Sequence, residues 1–150
     1  MSIWFFSLNS SKGAGDSSSI DEVISNIDQE YQSRVKVIEY SGNLNNLLRH
    51  FQSVDSMITC KYHSIIFSFI FVKPMIVLLY HPKCLSLHED LGLPEESRVS
   101  ISQIMNDMLV HSIEELHANP NRFLAPLSLE TARTRAMYGI RRCFKSCLEK

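Results

Sequence analysis

Thr59-Cys-Lys-Tyr-His-Ser-Ile-Ile-Phe67, running on to Val72-Lys-Pro-Met-Ile-Val-Leu-Leu-Tyr-His-Pro-Lys83, is the stretch whose reading decides the fold. It reads as a strand, a cationic turn and an apolar helix. A Lys73-Pro74 break follows, then a second apolar strand and a second polar turn. Met75 to Leu79 shows no alternation of polar and apolar residues, as expected of a strand covered on both faces of a parallel sheet. Lys61 and His63 follow the first strand end, and Tyr80, His81 and Lys83 follow the second. Ligands of open α/β sheets bind outside the carboxyl ends of the strands. Five polar groups at two successive ends therefore point to an anion-binding cleft.

Outward from this centre the same alternation continues. Ser2 to Leu8 reads as a strand, followed by a small polar loop from Asn9 to Ser19. Ser19 is the expected N-cap of a helix over 20–31, with Ile20, Val23, Ile24 and Ile27 on its buried face. Val35 to Tyr40 is a strand, Asn43 to Phe51 a helix, and Val54 to Thr59 a strand. Strands that alternate with helices of about ten residues predict βαβ units and a parallel sheet. After Lys83 the pattern turns helical: a short helix from Leu85 closed by Gly92 and Pro94, another over 100–116, and a last one capped by Ser128. Arg133, Arg135, Arg141, Arg142 and Lys145 make that last helix basic, a solvated face. The expected fold is one α/β domain over 1–150, a three-layer, mainly parallel Rossmann-like sheet of about four strands in 1–93 with a helical section in 94–150. No internal repeat stands out.

Composition narrows the function. A formal charge of −1 argues against broad nucleic-acid binding. Ile65 to Leu79 is interrupted by Lys73-Pro74 and falls short of the roughly 20 apolar residues that a spanning helix needs, so no transmembrane segment is expected. Ile3-Trp-Phe-Phe6 is too short for a signal-peptide core. Cys60, Cys84, Cys143 and Cys147 form no CxxC pair and read as reduced thiols, which fits a cytoplasmic location. His81, Cys84 and His88 could share a helix face, but no companion motif supplies a fourth ligand, so no metal is expected. Gly13 and Gly15 precede a helix without the spacing of a phosphate loop.

Thr59 to Leu93 resembles the C-terminal part of the polysaccharide pyruvyl transferase family. That family carries an Arg-x-His motif at a strand end, then an apolar helix, a strand closing on Tyr-x-x-Lys, and an Asp-Leu-Gly turn. The counterparts here are Lys61-Tyr-His63-Ser64, Pro74 to Leu79, Tyr80-His-Pro-Lys83 and Asp90-Leu-Gly-Leu93. The family's arginine is Lys61 in this chain, a point charge in place of a bidentate fork.

The resemblance implies transfer of a pyruvyl group from phosphoenolpyruvate to a saccharide or glycolipid acceptor, as a ketal, in cell-surface or exopolysaccharide biosynthesis. It implies a glycosyltransferase-B-like fold of two Rossmann-type halves, with phosphoenolpyruvate as donor substrate and no further cofactor. On this reading His63 is the catalytic proton donor or phosphate partner. Lys61 holds the donor's anionic groups, Lys83 supports phosphate or acceptor, and Ser64 and Tyr80 complete the substrate contacts. The pattern matches only the C-terminal half, so the expectation is a chain inactive alone, completed by a partner chain that supplies the N-terminal half. The alternatives are a non-catalytic anion- or glycan-binding module, or a truncated remnant.

Overall fold

The computed structural model describes residues 2–9 and 15–148, with side chains described up to residue 139. The chain is mixed α/β with small parallel sheets, and it divides into two compact units, Met1–Ser53 and Val54–Lys150.

In the first unit, β1 (Ile3–Ser7) pairs in parallel with β2 (Val35–Glu39), Ile3 opposite Val35 and Ser7 opposite Glu39. The connection runs through α1 (Asp16–Ser25) and α2 (Gln29–Gln32), and α3 (Leu44–Ser53) follows β2. Ile20, Ile38, Leu47 and Phe51 form the buried core, with the Phe6 and Phe51 rings 4.6 Å apart. Contrary to the sequence reading, Ser19 is not the cap: α1 starts at Asp16 after Gly15. The Asp16 carboxylate accepts the backbone N–H groups of Leu8 and Asn9 and so draws the helix start forward. The expected long helix also breaks after Ser25. There the Asn26 and Ser25 side chains bond the Glu22 carbonyl, competing with the helix.

In the second unit, β3 (Met57–Thr59), β4 (Met75–Leu79) and β5 (Arg98–Ser100) form a parallel sheet in that order. α4 (Tyr62–Ile70) links β3 to β4, and α5 (Pro82–Asp90) with a 3-10 turn (Glu95–Ser97) links β4 to β5. Met75, Ile76 and Val77 of the central strand are wholly buried, as its unbroken apolar run requires. Ile76 packs with Val99, Leu116 and Phe123, and Leu78 lies against this cluster.

The section after Leu93 is therefore not purely helical, because it contributes β5. Among the described residues, five strands in two sheets stand where a single sheet of about four was expected. The helix expected over 100–116 is two, α6 (Ile101–Ile104) and α7 (Met108–Ala118). Ser100 starts α6 with a reciprocal capping box to Gln103, and Asp107 at φ 58° separates the pair. A 3-10 turn (Pro120–Phe123) leads on to α8 (Leu129–Leu148), whose start Ser128 caps by accepting the Thr131 N–H at 3.1 Å. Arg133 and Arg135 are exposed; the side chains of Arg141, Arg142, Cys143, Lys145 and Cys147 lie outside the described residues, as do residues 10–14 of the glycine loop.

Candidate functional site

Parallel pairing puts the carboxyl ends of β3 and β4 side by side, with Thr59 opposite Val77. Each strand ends in a turn of two residues before its helix: Cys60-Lys61 before α4, and Tyr80-His81 before α5. Lys61 is the half-buried N-cap of α4, and His63 is the exposed second residue of that helix. Tyr80 is 49% exposed, and Lys83 stands exposed in the first turn of α5. The sequence-expected residues thus gather on two adjoining turns, except that Ser64 is only 5% exposed and points into the core.

Local bonds fix the turns. The Thr59 hydroxyl donates to the Lys61 carbonyl at 3.4 Å. His81 Nδ1 accepts the Lys83 N–H at 3.2 Å and so caps α5, which begins with Pro82, a residue suited to that position. Two contacts join one turn to the other. Lys83 Nζ lies 6.0 Å from the centroid of the Tyr62 ring, near the limit of a cation–π contact, and the Cys84 thiol donates to the Cys60 carbonyl at 3.4 Å. The sequence reading passed over Tyr62 and paired neither cysteine. The signal for both was the shared form of the two turns.

The chemistry available at this edge is that of exposed and half-buried polar groups: two ammonium groups, two imidazoles and two phenols on two turns. A polyanion of small size matches it. His81, Cys84 and His88 do not converge as a ligand set. His81 caps its helix, Cys84 bonds the Cys60 carbonyl, and His88 bonds the Ser97 hydroxyl at 2.9 Å. Among the described residues no three His, Cys, Asp or Glu side chains gather to hold a metal ion.

A family model, polysaccharide pyruvyl transferase, matches residues 3–82, more than half of the chain. The chain belongs to the polysaccharide pyruvyl transferase family. The match runs from the first residue of β1 to the first residue of α5. It takes in Lys61, His63, Ser64 and Tyr80, and it ends one residue before Lys83. No curated protein and no solved structure matches the chain.

Family membership supports transferase chemistry and a place in polysaccharide biosynthesis. Two cavities lie elsewhere in the second unit. One of about 220 Å³ is lined by Phe69, Val72, Met75 and residues 124–129. The other, of about 470 Å³, is lined by Glu95, Arg98, His111, Glu115 and Arg122, among others. Arg122 bridges Glu96 at 2.8 Å and Glu115 at 3.5 Å there. A bond to its own backbone, together with Arg122, holds the Glu96 carboxyl below its usual range. Neither cavity is lined by Lys61, His63, Tyr80 or Lys83, and the last three of these are exposed. Among the described residues no helix is long and apolar enough to cross a membrane.

Proposed function

We propose that the chain acts in pyruvyl transfer from phosphoenolpyruvate to a saccharide or glycolipid, as a ketal, in cell-surface or exopolysaccharide biosynthesis. The observation that carries this reading is the family match running through both turns, which β3 and β4 hold side by side. Phosphoenolpyruvate carries a carboxylate and a phosphate, and Lys61 and Lys83 offer an ammonium on each turn to fix them. His63 protonates the methylene carbon, which leaves the adjoining carbon electrophilic. One sugar hydroxyl adds there, and a second displaces the phosphate. One hydroxyl proton restores His63, and the other leaves with the phosphate. Tyr80 faces the acceptor, while Ser64 seats the first turn of α4 from within.

The two sheets belong, on this reading, to the C-terminal half of a glycosyltransferase-B-like enzyme working in the cytoplasm. Its partners are small molecules and saccharides, not nucleic acid. His63, Tyr80 and Lys83 are exposed, so a facing surface from a second half or a partner chain closes the site for turnover. That openness also favours a second reading, an anion- or glycan-binding module without turnover.

Calorimetric titration of phosphoenolpyruvate into the purified chain tests the donor site. Saturable binding, lost in Lys61→Ala and weakened in His63→Ala, is the expected result. A folded sample that gives no heat would sink the donor assignment. Binding without ketal formation, even with a complementing half added, would decide for the binding module.

A further inference from the structure

We propose that Cys60 and Cys84 form a reversible disulfide that gates the strand-end site, an inference that rests on the donor-site reading above. Cys60 is the first residue after β3, and Cys84 is the third residue of α5. The Cys84 sulfur already lies 3.4 Å from the Cys60 carbonyl oxygen. That contact sets the Cys84 side chain against the Cys60 backbone, and a disulfide between them requires their Cα atoms to stand within about 4.4–6.8 Å.

The two thiols differ in access, and this sets the order of events. Cys60 is half-buried and reachable, whereas Cys84 is fully buried. Burial holds the Cys84 thiol above its ordinary value against the pull of Lys83, and neighbouring Cys60 adds to the rise. Cys60 is thus the entry point for a small disulfide oxidant such as oxidised glutathione. Its thiolate attacks one glutathione sulfur and releases the other as glutathione thiolate. The Cys84 thiolate then attacks the Cys60 sulfur of the mixed disulfide and releases the second glutathione thiolate. Two thiols are oxidised, one disulfide is reduced, and the two thiol protons end on the two glutathiones.

Each cysteine adjoins a lysine of the site: Cys60 precedes Lys61, and Cys84 follows Lys83. Joining the sulfurs replaces the thiol–carbonyl bond and draws the first turn of α5 toward Cys60. The spacing of the two ammonium groups changes with it, and so does the hold of Lys83 on the Tyr62 ring.

The test treats the full chain with oxidised glutathione, blocks remaining thiols, and maps the peptides. The expected result is a Cys60–Cys84 linked peptide, reversed by dithiothreitol, with a higher thermal midpoint in the oxidised protein and neither change in Cys60→Ser. Linkage only to Cys143 or Cys147, or glutathione left on Cys60, overturns the pair. Titration of phosphoenolpyruvate then tests the gate. Oxidised protein should bind about fivefold or more weakly than reduced protein, and Cys60→Ser should show one affinity with or without oxidant. Equal affinities in the two wild-type forms overturn the gate. No binding in either form overturns the donor-site reading and the gate with it, while the linked peptide still decides whether the pair exists.

Discussion

β3–α4 and β4–α5 are two versions of one unit, offset by twenty residues. Each has a strand, a two-residue turn and a nine-residue helix, then a residue at positive φ and a proline: Val72 and Pro74 in the first, Gly92 and Pro94 in the second. They differ in how well local chemistry satisfies that backbone. α5 is capped by the His81 side chain and ends on glycine, whereas α4 has no side-chain cap bond and ends on valine. The first helix holds together by burial instead, with Ile65 and Phe69 in the core. Local rules are broken most readily where function makes its own demands, and on the donor-site reading the poorly capped unit is the one that carries Lys61 and His63.

The largest effect should come from removing that burial. Ile65 is fully buried, and its counterpart Leu85 is half-buried. Ile65→Ala should cost about 2–5 kcal/mol. Leu85→Ala should cost about 1–2 kcal/mol, in line with its smaller buried area. Urea denaturation of both variants checks the ranking, and equal losses would break the contrast.

The next contrast lies at Ser68 and His88, which occupy matching positions. Ser68 donates to the Ser64 carbonyl inside its own helix, at 2.8 Å. His88 reaches out of α5 to Ser97, whose hydroxyl donates to the Pro94 carbonyl, so the imidazole is the donor at Nε2. Ser97→Ala strands that buried donor and should cost about 1–3 kcal/mol, with Ser68→Ala costing less. Burial, helped by the charge of Arg98, holds His88 below its ordinary value. Its neutral form is therefore the folded one. Below about pH 6.5 the unfolded chain binds a proton that the folded chain still resists, so stability is full above that pH and falls below it. His88→Gln should flatten that fall.

What the sequence made legible follows the same division between local and distant causes. Met75 to Leu79 was readable because a central parallel strand must be apolar throughout, and the strand has those bounds. β5 was not, since Arg98-Val-Ser100 offers one apolar residue and owes its pairing to β4. The start of α1 depends on Asp16 meeting Leu8 and Asn9, contacts across a loop that no local pattern announces. Pro82 did announce the start of α5, three residues before the expected one. At the site, the two cationic turns were legible as successive strand ends. Tyr62 against Lys83 and Cys60 against Cys84 needed the strand pairing itself. Ser64 matched a motif, but the helix face on which it falls is buried.

A reciprocal exchange at the helix ends sharpens the comparison. Both ends carry the same pair of closing bonds: Lys73 N–H to Ser68 O and Val72 N–H to Phe69 O, against Leu93 N–H to His88 O and Gly92 N–H to Glu89 O. The residue before the last donor must be left-handed, at φ 52° for Val72 and 65° for Gly92. A β-branched side chain there costs about 1–2 kcal/mol. Gly92→Val should therefore lose about that much, with its new Cβ also meeting Pro126 at 3.4 Å. Val72→Gly should gain about 0.5–1 kcal/mol, because the relief of strain exceeds the entropy that glycine loses on folding. Thermal midpoints that move in opposite directions would establish the shared motif.

The smallest effect on stability is the one that best separates structure from function. His81 Nδ1 accepts the Lys83 N–H, so His81→Ala should cost about 1 kcal/mol, as other lost N-caps do. The matching residue, Lys61, makes no side-chain cap bond to α4, and the helix has less to lose at its N-terminus when it is replaced. On the donor-site reading the order reverses for ligand: Lys61→Ala abolishes phosphoenolpyruvate binding, while His81→Ala reduces it only through the looser seating of Lys83. Melting and titration of the same two proteins therefore give opposite rankings. If Lys61→Ala were the less stable variant and still bound phosphoenolpyruvate, Lys61 would be a structural part of its turn, and the two βα units would differ in packing alone.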